Sequence, residues 1–302
     1  MEFLKPSKLK PGDTIGLISP CSAADAVRVE PAVAGLRAHG FQVKLSPNFY
    51  SDTNVYSGTV QQRVDDLHAM AADPEVTMVY FSGGEVCNEI LPFVDFDLLR
   101  KHPKIYCSFS DGTTLLNAIQ AQSKLVVFYG SSPGTFRELT DYNYQAFTAR
   151  LMEGSTEYTK SSPWRVLTGG VADGRLYGGY LVNLSLLQNG RFQPPDKSER
   201  LLLVIEDHEM FSIPAAVARY FAHLEQSGLF AQATGLIFGH YSSNDQPCID
   251  RLLTELGQRY HIPVVRTEDF GHGANNAIFP FGTTAHLDAD KGLFSFTEGG
   301  VR

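Results

Sequence analysis

The chain has 302 residues, of which 43% are hydrophobic and 19% charged, a size and balance that suit a globular protein of two domains of roughly 150 residues each. A formal net charge of −8, with no basic patch to hold polyphosphate, excludes a nucleic-acid groove and points to small molecules or peptides as partners. The start, Met1 to Lys10, is basic but lacks an apolar core of export-signal length, and no later stretch could span a bilayer, so a cytoplasmic protein without membrane contact is expected.

In chain order, Thr14 to Ile18 is a short apolar strand ending at Ser19-Pro20, and Val29, Val33 and Leu36 recur at helical spacing until Gly40. Phe41 to Leu45 is the next strand. Thr59 with Gln62 makes a capping box for a helix that carries Val60, Val64, Leu67 and Met70 on one face and ends before Asp73-Pro74. Thr77 to Phe81 reads as a buried strand running into Ser82-Gly83-Gly84-Glu85. Glycines at a strand end let a ligand approach the backbone closely, although a plain tight turn accounts for Gly83-Gly84 as well.

Lys104 to Leu115 reads as a strand passing into a helix through small residues, with Ser110 at the turn. A nucleophile elbow needs small residues two before and two after its serine, and Ser108 and Gly112 meet that need. The amide of Asp111, at the helix start, could then face a developing oxyanion. An ordinary turn capped by Ser110 or Asp111 is the competing reading. A helix over 113–122 and a strand over 125–129 complete a βαβ series of mainly parallel strands.

From about Arg137 to Gly170 the pattern weakens and reads as helical connector and linker, holding the single tryptophan, Trp164. Short strands broken by glycines then favour a partly β domain. Leu201 to Ile205 is a buried strand ending in Glu206-Asp207-His208-Glu209, which could be a metal site, an acid/base site or a solvated turn. Ser212 is a candidate N-cap for a helix with Pro214 in its first turn. A strand over 234–238, a helix over 249–260 and a short strand at Pro263-Val264-Val265 lead to a loop in which His272 sits between Gly271 and Gly273. The cysteines, Cys21, Cys87, Cys107 and Cys248, lack paired spacing and read as free thiols, with Cys107 inside a strand and Cys87 placed to line a site after Gly83-Gly84.

Ser110, Glu206 and His272 stand in the chain order Ser, Glu, His, the order of α/β-hydrolase triads. With them, Pro11-Gly12-Asp13-Thr14-Ile15, Ala72 to Val76, Leu91 to Asp97, Tyr129-Gly130, Gly178-Gly179, Ile205-Glu206-Asp207, Gly271-His272-Gly273 and Pro280-Phe281-Gly282 follow in one order. In these motifs the chain resembles the LD-carboxypeptidase group of serine peptidases, which includes murein tetrapeptide carboxypeptidases and microcin C immunity peptidases. The resemblance implies Ser110 as nucleophile, His272 as base, Glu206 as orienting carboxylate, and the amides of Gly84 and Asp111 as oxyanion hole, without metal or other cofactor.

It further implies a Rossmann-like, doubly wound parallel sheet in an N-terminal domain over 1–150 and a linker over 151–170. A C-terminal domain over 171–302, with a β-barrel-like core and flanking helices, carries Glu206 and His272, and the whole is a homodimer. The implied reaction releases terminal D-alanine from murein tetrapeptides. Two alternatives are cleavage of acyl-nucleotide peptide antibiotics, for which Trp164 is the candidate base-stacking residue, and a non-catalytic binding protein on the same frame. Ser108, Tyr180 and Ser131 depart from the group's motifs and are expected to reshape the substrate pocket.

Overall fold

The computed structural model describes residues 3–193 and 197–302; Met1 and Glu2 of the basic N-terminal stretch lie outside the described residues. The first half alternates β1 (Thr14–Ile18), α1 (Ala26–Ala38), β2 (Gln42–Leu45), α2 (Val60–Ala72), β3 (Val76–Phe81), α3 (Phe96–Lys101), β4 (Ile105–Ser108), α4 (Thr113–Ser123) and β5 (Val127–Tyr129). β4 and β5 are buried along their whole length and β3 at all but one position, the pattern of strands covered on both faces by crossover helices. The five strands are parallel in the order β2-β1-β3-β4-β5. This doubly wound order reverses between β1 and β3, and a crevice opens beyond the carboxyl ends of those two strands. The capping box of α2 forms as its sequence implies, with Thr59 Oγ1 accepting from the Gln62 amide and Gln62 Oε1 accepting from the Thr59 amide.

The second half adds α5 (Asp141–Phe147), β6 (Arg165–Thr168), β7 (Val171–Tyr180), α6 (Leu181–Leu187), β8 (Leu201–Glu206), α7 (Pro214–Gln226), β9 (Ala233–His240), α8 (Pro247–Tyr260), β10 (Val264–Gly271), β11 (Phe279–Phe281), β12 (Thr284–Asp288) and β13 (Leu293–Phe296). Its sheet runs β13-β12-β7-β8-β9-β10-β6, with β7 to β10 parallel and the outer strands antiparallel, and it curls into a half-barrel. β11 does not belong to it. Phe279, Pro280 and Phe281 instead pair antiparallel with Tyr129, Phe128 and Val127, so a late segment forms the edge of the first sheet.

The stretch expected to be linker is partly strand, since β6 pairs with β10 through Thr168 and Val264. Trp164, just before it, is buried at 8% exposure with its indole N–H donating to Asp269 Oδ2 at 2.6 Å. The cause is long-range burial, which local periodicity does not record. The N-cap of α7 is Ile213 rather than Ser212, with Pro214 opening the helix.

Candidate active site

Ser110 occupies the left-handed backbone region at φ 57°, where a side chain is held at a cost of about 1–2 kcal/mol. A β-carbon on Gly112 would collide with the Ser108 side chain, so the turn demands glycine there. Ser108 is itself fully buried and donates to the Phe81 carbonyl at 2.7 Å, tying β4 to β3. These constraints bend the chain sharply between β4 and α4 and turn the serine hydroxyl out of the sheet.

Two distant segments meet that hydroxyl. Ser110 Oγ lies 2.8 Å from His272 Nε2, 162 positions further along the chain. His272 Nδ1 lies 2.7 Å from Glu206 Oε2. A carboxylate can only accept, so the imidazole proton belongs on Nδ1 and Nε2 is left to accept from Ser110 Oγ–H. Glu206 is the last residue of β8 and fully buried, and His272 directly follows β10. Burial alone would lower the His272 pKa, but the Glu206 carboxylate, with Asp207 and Asp111 beyond it, outweighs burial and holds the imidazole above its ordinary value.

Tyr129, which the sequence offers only as a strand residue and part of the Tyr129-Gly130 motif, without a role, completes this arrangement. Its hydroxyl donates to Glu206 Oε1 at 2.6 Å and accepts from the Ser110 amide at 3.3 Å. Hydrogen bonds therefore close a ring that starts at the Ser110 amide and returns to the Ser110 hydroxyl. The only signal for it in the sequence is a hydroxyl at the carboxyl end of the strand that neighbours the elbow.

Gly83-Gly84 packs against the elbow from β3. A β-carbon on Gly83 would fall 2.7 Å from the Asp111 amide nitrogen, so only glycine permits the approach. The Gly84 amide donates to Asp111 Oδ2 at 3.1 Å, so in this structure one of the two amides expected to face an oxyanion already holds a carboxylate. A cavity of about 580 Å³ opens at the crevice between β1 and β3, and Ser110, His272, Ser22, Gly83, Gly84 and the exposed Phe211 are among its walls.

The four residues Glu206 to Glu209 fan apart rather than converge on one point. Asp207 turns inward, and burial pushes its carboxyl up to about 7 even though Oδ1 accepts from the His208 amide. His208 Nδ1 accepts from the Met210 amide, and Glu209 Oε2 accepts from Gln246. Among the described residues no group of three or more His, Cys, Asp or Glu could hold a metal ion.

Cys87 does not line the cavity; it is fully buried beside Cys21, whose thiol pKa is raised well above its ordinary value by a hydrogen bond with Cys87 and by burial. Cys107 is likewise buried, its thiol pKa raised by desolvation. Of the three motif departures, Ser108 and Ser131 are buried bracing groups, the latter 2.6 Å from the Tyr80 hydroxyl. Tyr180 alone touches the site, its ring centroid 5.1 Å from that of His272. Trp164 stands apart from the cavity lining, bonded to Asp269 and packed on Tyr158 and Phe294.

A doubly wound sheet with a serine at a strained strand-to-helix turn, facing an imidazole and a buried carboxylate, defines an α/β protein built for hydrolase chemistry. Residues 15–130 match the LD-carboxypeptidase N-terminal domain and residues 173–287 the LD-carboxypeptidase C-terminal domain, and the chain belongs to this family of peptidases. It is similar to the probable murein peptide carboxypeptidase of Bacillus subtilis (strain 168), with 31% identity over 296 residues, 94% of this chain and 91% of that protein. It is also similar to the microcin C7 self-immunity protein MccF of Escherichia coli, at 27% identity over 95% of this chain and 94% of that one. Among solved structures it superposes on MccF in complex with glutamyl sulfamoyl guanosine with a TM-score of 0.89 and 25% identity, covering 99% of this chain and 100% of that chain.

Proposed function

We propose that this protein is a serine carboxypeptidase that cleaves the L,D-peptide bond before the terminal D-alanine of murein tetrapeptides. The observation that carries this reading is the line Ser110 Oγ, His272 Nε2, His272 Nδ1, Glu206 Oε2, with contacts of 2.8 and 2.7 Å at a strained elbow. His272 Nε2 takes the hydroxyl proton as Ser110 Oγ attacks the amide carbon, and Glu206 holds the resulting imidazolium. The oxyanion takes the Asp111 amide, and the Gly84 amide once Asp111 Oδ2 releases it. The imidazolium then protonates the departing D-alanine amine, and water, with His272 as base, hydrolyses the acyl-enzyme. A binding protein without catalysis, the reading that distant groups would favour, has no such support.

Murein peptide as substrate is supported by the Bacillus relative and by the burial of Trp164 away from the cavity. The second reading, cleavage of an acyl-nucleotide, is favoured by the likeness to MccF and by the Phe211 ring, 62% exposed at the cavity wall, where a base could stack. We also read the protein as a cytoplasmic homodimer, with exposed Met210, Phe211 and Ile213 as apolar surface that a second subunit could cover. A mass-spectrometric competition between a murein tetrapeptide and an aspartyl sulfamoyl adenosine decides between the substrates, with D-alanine release expected to be the faster. A fluorophosphonate label mapped to Ser110 tests the nucleophile, and light scattering on the eluted peak tests the dimer.

A further inference from the structure

A carboxypeptidase must recognise a free terminal carboxylate, and none of the catalytic groups described above can do so. The carboxylate carbon of the departing residue lies within about 5 Å of the scissile carbon by covalent bond lengths alone, so the group that grips it must share a cavity with Ser110. Two cations meet that condition. Arg28 and Arg137 both line the 580 Å³ cavity that Ser110 and His272 line.

Their positions follow from the fold. A β-carbon on Gly35 of α1 would collide with the Phe136 carbonyl, so this face of α1 packs directly on the turn over Pro133–Arg137. Arg28 precedes Gly35 by seven residues, two helical turns, and therefore lies on the same face, nearer the crevice end of α1. Arg137 ends the turn and is exposed; its Nε–H donates to the Gly134 carbonyl at 3.3 Å, and among the described residues its terminal nitrogens make no hydrogen bond.

Among the described residues neither arginine forms an ion pair within 4.0 Å, whereas Arg63, Arg175 and Arg266 are each bound to a carboxylate. Asp25, the carboxylate on the cavity wall among the described residues, uses Oδ1 to cap α1 through the Val27 amide. On a chain of net charge −8, two unpaired guanidinium groups in the reaction cavity form a local attraction for anions against the field of the whole molecule.

We propose that Arg137 is the anchor for the C-terminal carboxylate of the substrate, engaging it through the free edge of its guanidinium, with Arg28 as the second cation of the same subsite. This assignment rests on the peptidase reading above. A planar donor held by its Nε suits a two-oxygen acceptor, and lysine would supply the charge without the fork. A peptide amide, lacking the second anionic oxygen, would forfeit the contact.

The test compares N-acetyl-L-lysyl-D-alanine with its C-terminal amide, using turnover by the intact enzyme and calorimetric binding to the Ser110→Ala variant. Arg137→Gln should raise KM for the free acid by roughly 10- to 100-fold, the range for a lost charge-assisted hydrogen bond, with kcat little altered. The amide should be unaffected, so that the preference for the acid collapses; Arg137→Lys should restore it only in part, and Arg28→Gln should weaken it less. Hydrolysis with an unchanged acid preference in Arg137→Gln and in the double variant would overturn the anchor while leaving the peptidase reading intact. Binding of the acid that Arg137→Gln abolishes, without hydrolysis by the unmutated enzyme, would keep the subsite and sink the peptidase reading. Adenosine monophosphate is the third arm. If Arg137→Gln abolishes its binding and leaves that of the peptide acid intact, the subsite is a phosphate site and the assignment fails.

Discussion

Replacing Tyr129 by Phe removes one oxygen and leaves the ring stacked on Phe281, with centroids 5.4 Å apart and planes 5° from parallel. The lost hydroxyl is one of two donors to a fully buried carboxylate, the other being His272, and a hydrogen bond to a buried charge is worth about 1.5–3 kcal/mol. With Oε1 unsatisfied, the negative charge of Glu206 falls more heavily on the imidazole, and the protonated form of His272 is favoured further. Part of that energy is absorbed by relaxation around Glu206 and the rest falls on His272, whose pKa is expected to rise further above its ordinary value. Because attack needs neutral imidazole, the acid limb of kcat/KM should move upward. The plateau should also fall about tenfold, since the Ser110 amide loses its acceptor and the elbow its brace. Rates measured on a murein tetrapeptide from about pH 5 to 9, with a melting curve at each pH, give both quantities. An acid limb that stays in place or moves down, alongside a lowered Tm, would show that Tyr129 packs the sheet but does not share the charge of Glu206.

Ser110→Ala should lose turnover by several orders of magnitude, leaving about 10³–10⁴ over water, while Ser110→Gly, equally inactive, should melt higher than the alanine variant because glycine relieves φ 57° at a gain of about 1 kcal/mol. In the unmutated enzyme the acid limb should lie above the ordinary histidine value of about 6.5, and Asp207→Asn should lower it, since Asp207 is one of the charges that hold His272 up. Asp207, raised to about 7 by burial, binds more proton in the folded than in the unfolded chain between its ordinary value and 7, so its contribution to stability is lost as pH rises through that window; Asp207→Asn should therefore raise Tm at about pH 8 and change it little at about pH 4. Trp164→Phe should cost about 1–3 kcal/mol in denaturant unfolding, through the lost bond to Asp269, and leave kcat/KM unchanged; a selective loss of activity on an acyl-nucleotide would return Trp164 to the substrate.

What was legible in the sequence was local. Thr14–Ile18, the Thr59/Gln62 box and the strand before Glu206 announce themselves through periodicity and capping, which depend on neighbours in the chain. The elbow was legible because its steric demand falls within five residues, Ser108 to Gly112. Long-range relations were not legible from residues alone. Nothing near Tyr129 says that its hydroxyl reaches Glu206, 77 positions away, and nothing near Trp164 says that Asp269 waits 105 positions on. The polar stretch around Trp164 read as linker because its distant partners lie in β13, at Phe294, and in β10, at Asp269. Tyr180 and Ser131 looked alike as departures from family motifs, yet one faces His272 and the other braces Tyr80, a difference set by which way each strand end points. Arg28 and Arg137 carry no signal until α1 and the turn over Pro133–Arg137 are packed together.

The edge strand Phe279–Phe281 has a consequence for the order in which the protein is made. A ribosome delivers the elbow 162 residues before it delivers His272, and for that interval Ser110 has neither its imidazole partner nor the strand that covers the outer side of β5. The early half can wind its parallel strands while still tethered, but β5 remains an open edge, available to any other extended segment. When Phe279–Phe281 docks, it shields that edge, places Phe281 on Tyr129, and fixes the end of the loop whose start is His272. Maturation of the edge and closure of the Ser110–His272–Glu206 hydrogen bonds thus both wait for the end of synthesis, and a chain that stops short of residue 281 is unguarded against mispairing and lacks the strand that seats Tyr129.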